Sequence, residues 1–143
     1  MLVYKYISQL ANGQRRLIDS LATNKAYSGA QGKVIHYLFN NKEKTVYQKE
    51  IEKSFGLRAS TATELIKSLE KMGVIKRVPS KEDARFKEII LSDKADEYKE
   101  DVCHDMEMLE EKLTSKISKE ELDCWLAITN KMLANLGEME NEK

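Results

Sequence analysis

The chain has 143 residues with 24 basic and 24 acidic side chains, a formal net charge of zero, and a composition that is 41% hydrophobic and 34% charged. That length fits a single domain, 1–143, and a lone proline with six glycines leaves little for structureless linkers, so a mainly α fold is expected. No apolar run reaches the length of a membrane span, which excludes a helical membrane protein.

The first segment, MLVYKYISQL, has Lys5 inside its short apolar stretch and no small-residue cleavage pattern after it. A signal peptide is therefore not expected, and the cytoplasm is the expected compartment. Over residues 2–22, Val3, Ile7, Leu10, Leu17 and Leu21 recur at helical spacing, with Tyr6 and Ile18 beside the stripe: a long amphipathic helix. Ser28 is placed to N-cap a second helix, SGAQGKVIHYLFNN, whose stripe is Val34, Ile35, Leu38 and Phe39. A third, from about Tyr47 to Phe55, turns Ile51 and Phe55 inward and is closed by Gly56. The fourth, Ala59 to Met72, puts Ala62, Leu65, Ile66, Leu69 and Met72 on one face and ends at Gly73. The short glycine-containing break between the third and fourth has helix-turn-helix spacing.

VIKRV (74–78) and KEIIL (87–91) are β-branched segments joined by PSKEDARF. Pro79 is expected to stop the first strand, and the polar middle to form a hairpin tip. Residues 92–116 then read as a long helix with Ala95, Tyr98, Val102, Met106, Leu109 and Leu113 inward. The last helix, 118–137, opens at Ser118 with Glu121 three residues on, a capping box. Its stripe is Leu122, Trp125, Leu126, Thr129, Met132, Leu133 and Leu136. Cys103 and Cys124 are isolated thiols without a CxxC or metal spacing, so neither a disulfide framework nor a thiolate metal site is implied.

The zero net charge hides a division: residues 1–88 carry +8 and residues 92–143 carry −8. Local field rather than net charge decides contact with phosphate, so nucleic acid stays open as a partner. The outer face of the fourth helix presents Ser60, Thr61, Thr63, Glu64, Lys67, Ser68 and Lys71. Short hydroxyls toward its start and lysines further along suit a helix in a major groove. Any amphipathic helix has a polar face, however, and Thr61 with Glu64 also reads as a capping box. The hairpin tip adds weight. Lys81, Arg85 and Lys87 lie in an extended loop that core packing does not require, and an arginine there can enter a narrow minor groove. Asp83 reads as the residue that holds the tip by pairing with Arg85 or Arg77; Arg77 reads equally as a phosphate contact.

The segments KEIEKSFGLRASTAT, LEKMGVIKR and KEDARFKEIILS, read together, resemble the core of the MarR family of bacterial transcription regulators. The aspartate-x-arginine wing after an L-E-x-x-G-x-I-x-R turn is the most specific part, and the likeness extends over residues 28–100. The resemblance implies a winged helix-turn-helix lobe (28–91) with a two-stranded wing, flanked by dimerisation helices (1–25 and 92–140). It also implies a homodimer on double-stranded DNA, a repressor of transcription, with the fourth helix in the major groove and Arg85 in the minor groove. A small-molecule effector would bind where the dimer helices meet the lobe. Two positions depart from the family pattern. Glu64 stands where a basic or neutral residue is common, so its base preference does not carry over. Arg58 stands where a capping Ser or Asp is common, which predicts a weaker or shifted helix start.

Rival readings are an enzyme, a zinc-responsive regulator of the same fold and a helical protein-interaction module without DNA binding. No paired carboxylates in an apolar setting, nucleophile elbow or glycine-rich phosphate loop is present, so neither catalysis nor a cofactor is expected. Zinc-binding relatives use histidines on the second and fifth helices, where His36 and His104 fall, with Asp105 or Cys103 to assist. Without an i, i+4 ligand partner these make a thin site. The first helix has no cysteine of the kind that peroxide-responsive relatives use.

Overall fold

The computed structural model describes residues 1–22 and 26–141, the last four as backbone only. Its elements run α1 (Val3–Leu21), α2 (Gly29–Asn40), α3 (Gln48–Phe55), α4 (Ala59–Lys71), β1 (Ile75–Pro79) and β2 (Lys87–Leu91). A 3₁₀ turn (Asp93–Ala95), α5 (Asp96–Thr114) and α6 (Lys119–Asn141) complete the order. The chain divides into two units, Met1–Leu109 and Glu110–Lys143. Residues 23–25 of the expected N-terminal dimerisation segment, and residues 142–143, lie outside the described residues.

Local chemistry fixes the helix ends of the first unit. Ser28 Oγ accepts the Gln31 backbone N–H at 3.2 Å while Gln31 Oε1 accepts the Ser28 N–H at 2.8 Å, a reciprocal cap that starts α2. Glu50 Oε2 accepts the Tyr47 N–H at 2.6 Å and anchors the start of α3. Gly56 ends α3 with φ +62°, a left-handed position that L side chains resist.

The core then assembles from the periodic positions. Ile35 of α2, Ile51 of α3, Ala62, Ile66 and Leu69 of α4 and Val74 are fully buried, with Val102, Met106 and Leu109 of α5 packed into the same cluster. The two strands pair antiparallel with Ile75 opposite Leu91 and Pro79 opposite Lys87. Both ends of β1 fall one residue later than the sequence suggests. Pro79 closes the strand from inside it, an edge position where its missing N–H costs no ladder bond.

In α1 the stripe side chains Val3, Ile7 and Leu10 are exposed in the single chain, and Ile18 is the buried residue. Gly29 lets α2 come close to the C-terminal part of α1, since a Cβ there would stand 2.3 Å from Ile18 Cγ2. The long helix expected over 92–116 is broken at its start, because Ser92 does not cap it. The Ser92 hydroxyl donates instead to the Gly73 carbonyl, and the chain makes a 3₁₀ turn before α5.

The second unit holds the end of α5 and α6. Lys116 takes a left-handed φ of 64°, and Ser118 then caps α6. Glu121 Oε1 accepts the Ser118 N–H at 2.9 Å and Ser118 Oγ accepts the Glu121 N–H at 3.1 Å, the capping box read from sequence. Hydrogen bonding to Ser118 holds the Glu121 carboxyl below the usual glutamate range. Leu113, Ile117, Trp125, Leu126, Ile128, Leu133 and Leu136 are all exposed.

Candidate nucleic-acid interface

Burial of Ala62, Ile66 and Leu69 rotates the opposite side of α4 into solvent. Ser60, Thr61, Glu64, Lys67 and Lys71 are exposed there as one row. The helix starts at Ala59 as read, with Arg58 making no side-chain cap bond. Thr61 is therefore inside the first turn and not at the cap, which removes the capping-box reading of Thr61 with Glu64. Thr63 and Ser68 sit half-buried on the two flanks of the row, and both hydroxyls are engaged within the protein. Thr63 Oγ1 donates to the Ala59 carbonyl at 2.8 Å and accepts from Gln48 Nε2 at 2.9 Å. Ser68 Oγ donates to the Leu65 carbonyl at 2.6 Å and accepts from Gln31 Nε2 at 3.2 Å.

The wing is held by a local pair. Asp83 Oδ1 accepts the Arg85 backbone N–H at 3.1 Å, while the Arg85 guanidinium donates from Nε to Oδ1 at 3.1 Å and from Nη2 to Oδ2 at 2.7 Å. These bonds lower the Asp83 pKa from its ordinary value and raise that of Arg85, so both stay ionised. The Arg85 side chain nonetheless remains 84% exposed. Its guanidinium carbon Cζ lies over the exposed Phe86 ring, 6.0 Å from the centroid, and Phe86 meets Tyr47 edge-on at 6.4 Å. Tyr47 Oη and the buried Ser80 Oγ are 2.7 Å apart, and Ser80 Oγ also accepts the Glu82 N–H at 3.2 Å. Lys81 and Lys87 are exposed beside this tip.

Arg77 has a different partner from those considered. Its Nη2 lies 2.8 Å from Glu70 Oε1, tying β1 to α4, so Arg85 is the residue that Asp83 holds. His36 Nε2 is 3.4 Å from Asn40 Nδ2, and His104 is exposed on α5. Among the described residues no three His, Cys, Asp or Glu side chains gather as a metal set. Asp105 is buried and accepts the Tyr27 hydroxyl at 2.6 Å. Burial, and to a lesser degree Glu107, push the Cys103 thiol above its usual range, the opposite of an activated thiolate. Cys124 is exposed. Among the described residues no helix is long and apolar enough to cross a membrane.

Sequence reasoning missed Gln31, Gln48, Tyr47, Ser80 and Phe86, which hold α4 and the wing in place. Each acts across more than ten residues of chain, and periodicity reports only neighbours on one element.

Residues 30–87 match the model of the MarR family. No curated protein matches the sequence. Among solved structures, the transcription regulator MarR from Oenococcus oeni PSU-1 is similar at 28% identity, covering 92% of this chain and 98% of that one, with a TM-score of 0.84. S. aureus MepR in a DNA complex is similar at 22% identity over 94% of this chain and 96% of that one, TM-score 0.81. S. aureus MepR in its DNA-binding conformation is similar at 24% identity over 94% and 99%, TM-score 0.82. At such identities the MepR structures speak to fold alone. Residues 30–87 thus carry the match to the MarR family model, and the chain as a whole shares the fold of the transcription regulator MarR from Oenococcus oeni.

Proposed function

We propose that this chain is a sequence-specific DNA-binding regulator, a repressor that works as a homodimer on a pseudo-palindromic double-stranded operator and is released by a small-molecule effector. The observation that carries this reading is the exposed row Ser60, Thr61, Glu64, Lys67 and Lys71 on α4 beside a wing whose Arg85 is held yet exposed. In a major groove the first turns of α4 meet base edges and Lys67 and Lys71 reach phosphates. Arg85 enters the adjacent minor groove, where negative potential is deepest, and Lys81 and Lys87 flank it. The homodimer is supported by the many exposed large apolar side chains of α1 and α6, since clustered exposed apolar side chains mark contact surfaces. The effector is supported by a groove of about 490 Å³ in the first unit, with Ile18, Val34 and Phe55 on its floor and Arg15 and Lys33 at its rim.

Selection of bound duplexes from a random DNA pool tests the reading. The expected result is an enriched inverted repeat whose affinity falls steeply with salt. A pool that shows no enrichment after repeated rounds removes sequence-specific binding.

A further inference from the structure

The solvent face of α4 is bounded by two flanks, and an amide side chain from a different helix ties down each. Gln48, the first residue of α3, places Nε2 2.9 Å from Thr63 Oγ1, 3.3 Å from the Ala59 carbonyl and 3.2 Å from Glu52 Oε2. Gln31 of α2 places Nε2 3.2 Å from Ser68 Oγ on the other flank. The directions of these bonds are forced. A carbonyl only accepts, so the Thr63 proton goes to Ala59 and Thr63 Oγ1 must accept from Gln48. Every neighbour of the Gln48 nitrogen is then an acceptor, which settles the orientation of its amide. Ser68 likewise spends its proton on Leu65, and Gln31 Oε1 is already taken by the Ser28 N–H. Each glutamine is a bridge that works one way round.

What these bridges supply is something the core does not. Ala62, Ile66 and Leu69 fix how deep α4 sits, but apolar contact is non-directional. Arg58 contributes no side-chain cap to pin the first turn. A roll of ~20° about the axis moves a side-chain tip by ~2 Å on a helix of ~5–6 Å radius. Hydrogen bonds to base edges do not survive that displacement. Long lysines reaching phosphates do.

We propose that Gln48 and Gln31 are specificity-positioning residues, which set the roll of α4 by gripping Thr63 and Ser68 and so decide whether its exposed row reads base edges. This rests on the DNA-binding reading above. It assigns Thr63 and Ser68 to holding the helix, with base reading left to the exposed row between them.

The test compares wild type, Gln48→Ala, Ser68→Ala, Thr63→Val and the Gln48→Ala/Thr63→Val pair on two duplexes: the one the wild type selects and a scrambled one of equal length and composition. Gln48→Ala and Ser68→Ala should each weaken binding to the selected duplex about 5- to 10-fold, the size of one lost hydrogen bond. Affinity for the scrambled duplex and the salt slope should stay within about twofold, a split that general loss of structure does not produce. The double variant should lose less than the sum of the two single losses, since Gln48 acts in part through that hydroxyl, and fully additive losses overturn the link between them. Equal losses on both duplexes, or no loss on either, overturn the positioning role. A changed base preference at a single position overturns it too, because Gln48 would then be reading DNA itself. If the wild type selects no sequence at all, the DNA reading fails and this role falls with it; if the wild type selects and the variants match it, only the positioning role fails.

Discussion

At the residue scale, the proposed DNA-binding reading divides the work between a wing that holds and an α4 face that reads. Arg85 carries a charge that Asp83 orients but does not bury. In a minor groove such a residue senses width and potential more than base identity. Arg85→Ala should therefore weaken binding on all sequences, lower the salt slope by about one, and leave the preferred sequence intact. Glu64 is exposed at the centre of the row and only accepts, so the cytosine amino group is its natural partner. Glu64→Ala should relax preference at one symmetric pair of positions by ~1–3 kcal/mol and raise affinity for unrelated DNA. Selections with both variants check this; a rewritten site for Arg85→Ala beside an unchanged one for Glu64→Ala reverses the roles. A second residue-scale prediction lies in the core. The buried Asp105 accepts from Tyr27, whose own ionisation is pushed far above the usual range, first by burial and then by Asp105. Tyr27→Phe removes the donor and leaves a buried carboxyl to be desolvated, a cost of ~1–3 kcal/mol. Asp105→Asn keeps an acceptor for the phenol and should cost less in urea denaturation at fixed protein concentration. If the two variants unfold alike, the bond has no role beyond shape.

At the element scale, most of the architecture was legible. Ser28, Ser118 with Glu121, and Gly56 are punctuation whose physics acts within four residues, and each stands where it was read; the Gln31 that completes the Ser28 cap was not read. The hairpin and α4 followed from periodicity for the same reason. What was not legible depends on partners distant in sequence: the Ser92 hydroxyl turned to Gly73, Arg77 turned to Glu70, and the two glutamines on the flanks of α4. The stripe of α1 is a true amphipathic pattern, and Val3, Ile7 and Leu10 stay outside the core of the chain that carries them. The packing of α1 on α2 depends instead on Gly29, where a Cβ would stand 2.3 Å from Ile18 Cγ2 and 3.2 Å from Asp19 Oδ1. Ile18 is β-branched and cannot swing aside. Gly29→Ala should destabilise the protein by ~1–3 kcal/mol although alanine favours helix. Ile18→Ala in the same chain should return part of that loss, a sign of relieved overlap. Additive losses in the pair rule out the steric account.

At the scale of the whole molecule, the exposed apolar surface and the charge division both bear on the proposed dimer. The N-terminal 88 residues carry the +8 that suits phosphate, and the last 52 carry −8. The proposed dimer would bury apolar side chains of α1 and of α6 against a second copy, while the basic N-terminal segment supplies the charge that suits phosphate. Leu10, Trp125, Leu126 and Leu136 are each more than half exposed in the single chain, at a cost that burial against a second copy removes. An obligate interface of this kind buries more than ~2,000 Å². Two-fold symmetry then requires half-sites related by a dyad, about one helical turn or ~10 bp apart. Sedimentation at micromolar concentration should show a particle twice the 16.5 kDa chain. Trp125, the single tryptophan, reports on the same interface from inside. Trp125 is 56% exposed in the protomer, so a dimer that covers it should give blue-shifted emission that moves red on dilution. Leu126→Glu places a charge beside it and should produce the red-shifted spectrum and loss of operator binding together, with Glu64 and Arg85 untouched. A stable folded monomer at micromolar concentration, with tryptophan emission independent of dilution, would remove the dimer and with it the reason for a palindromic site.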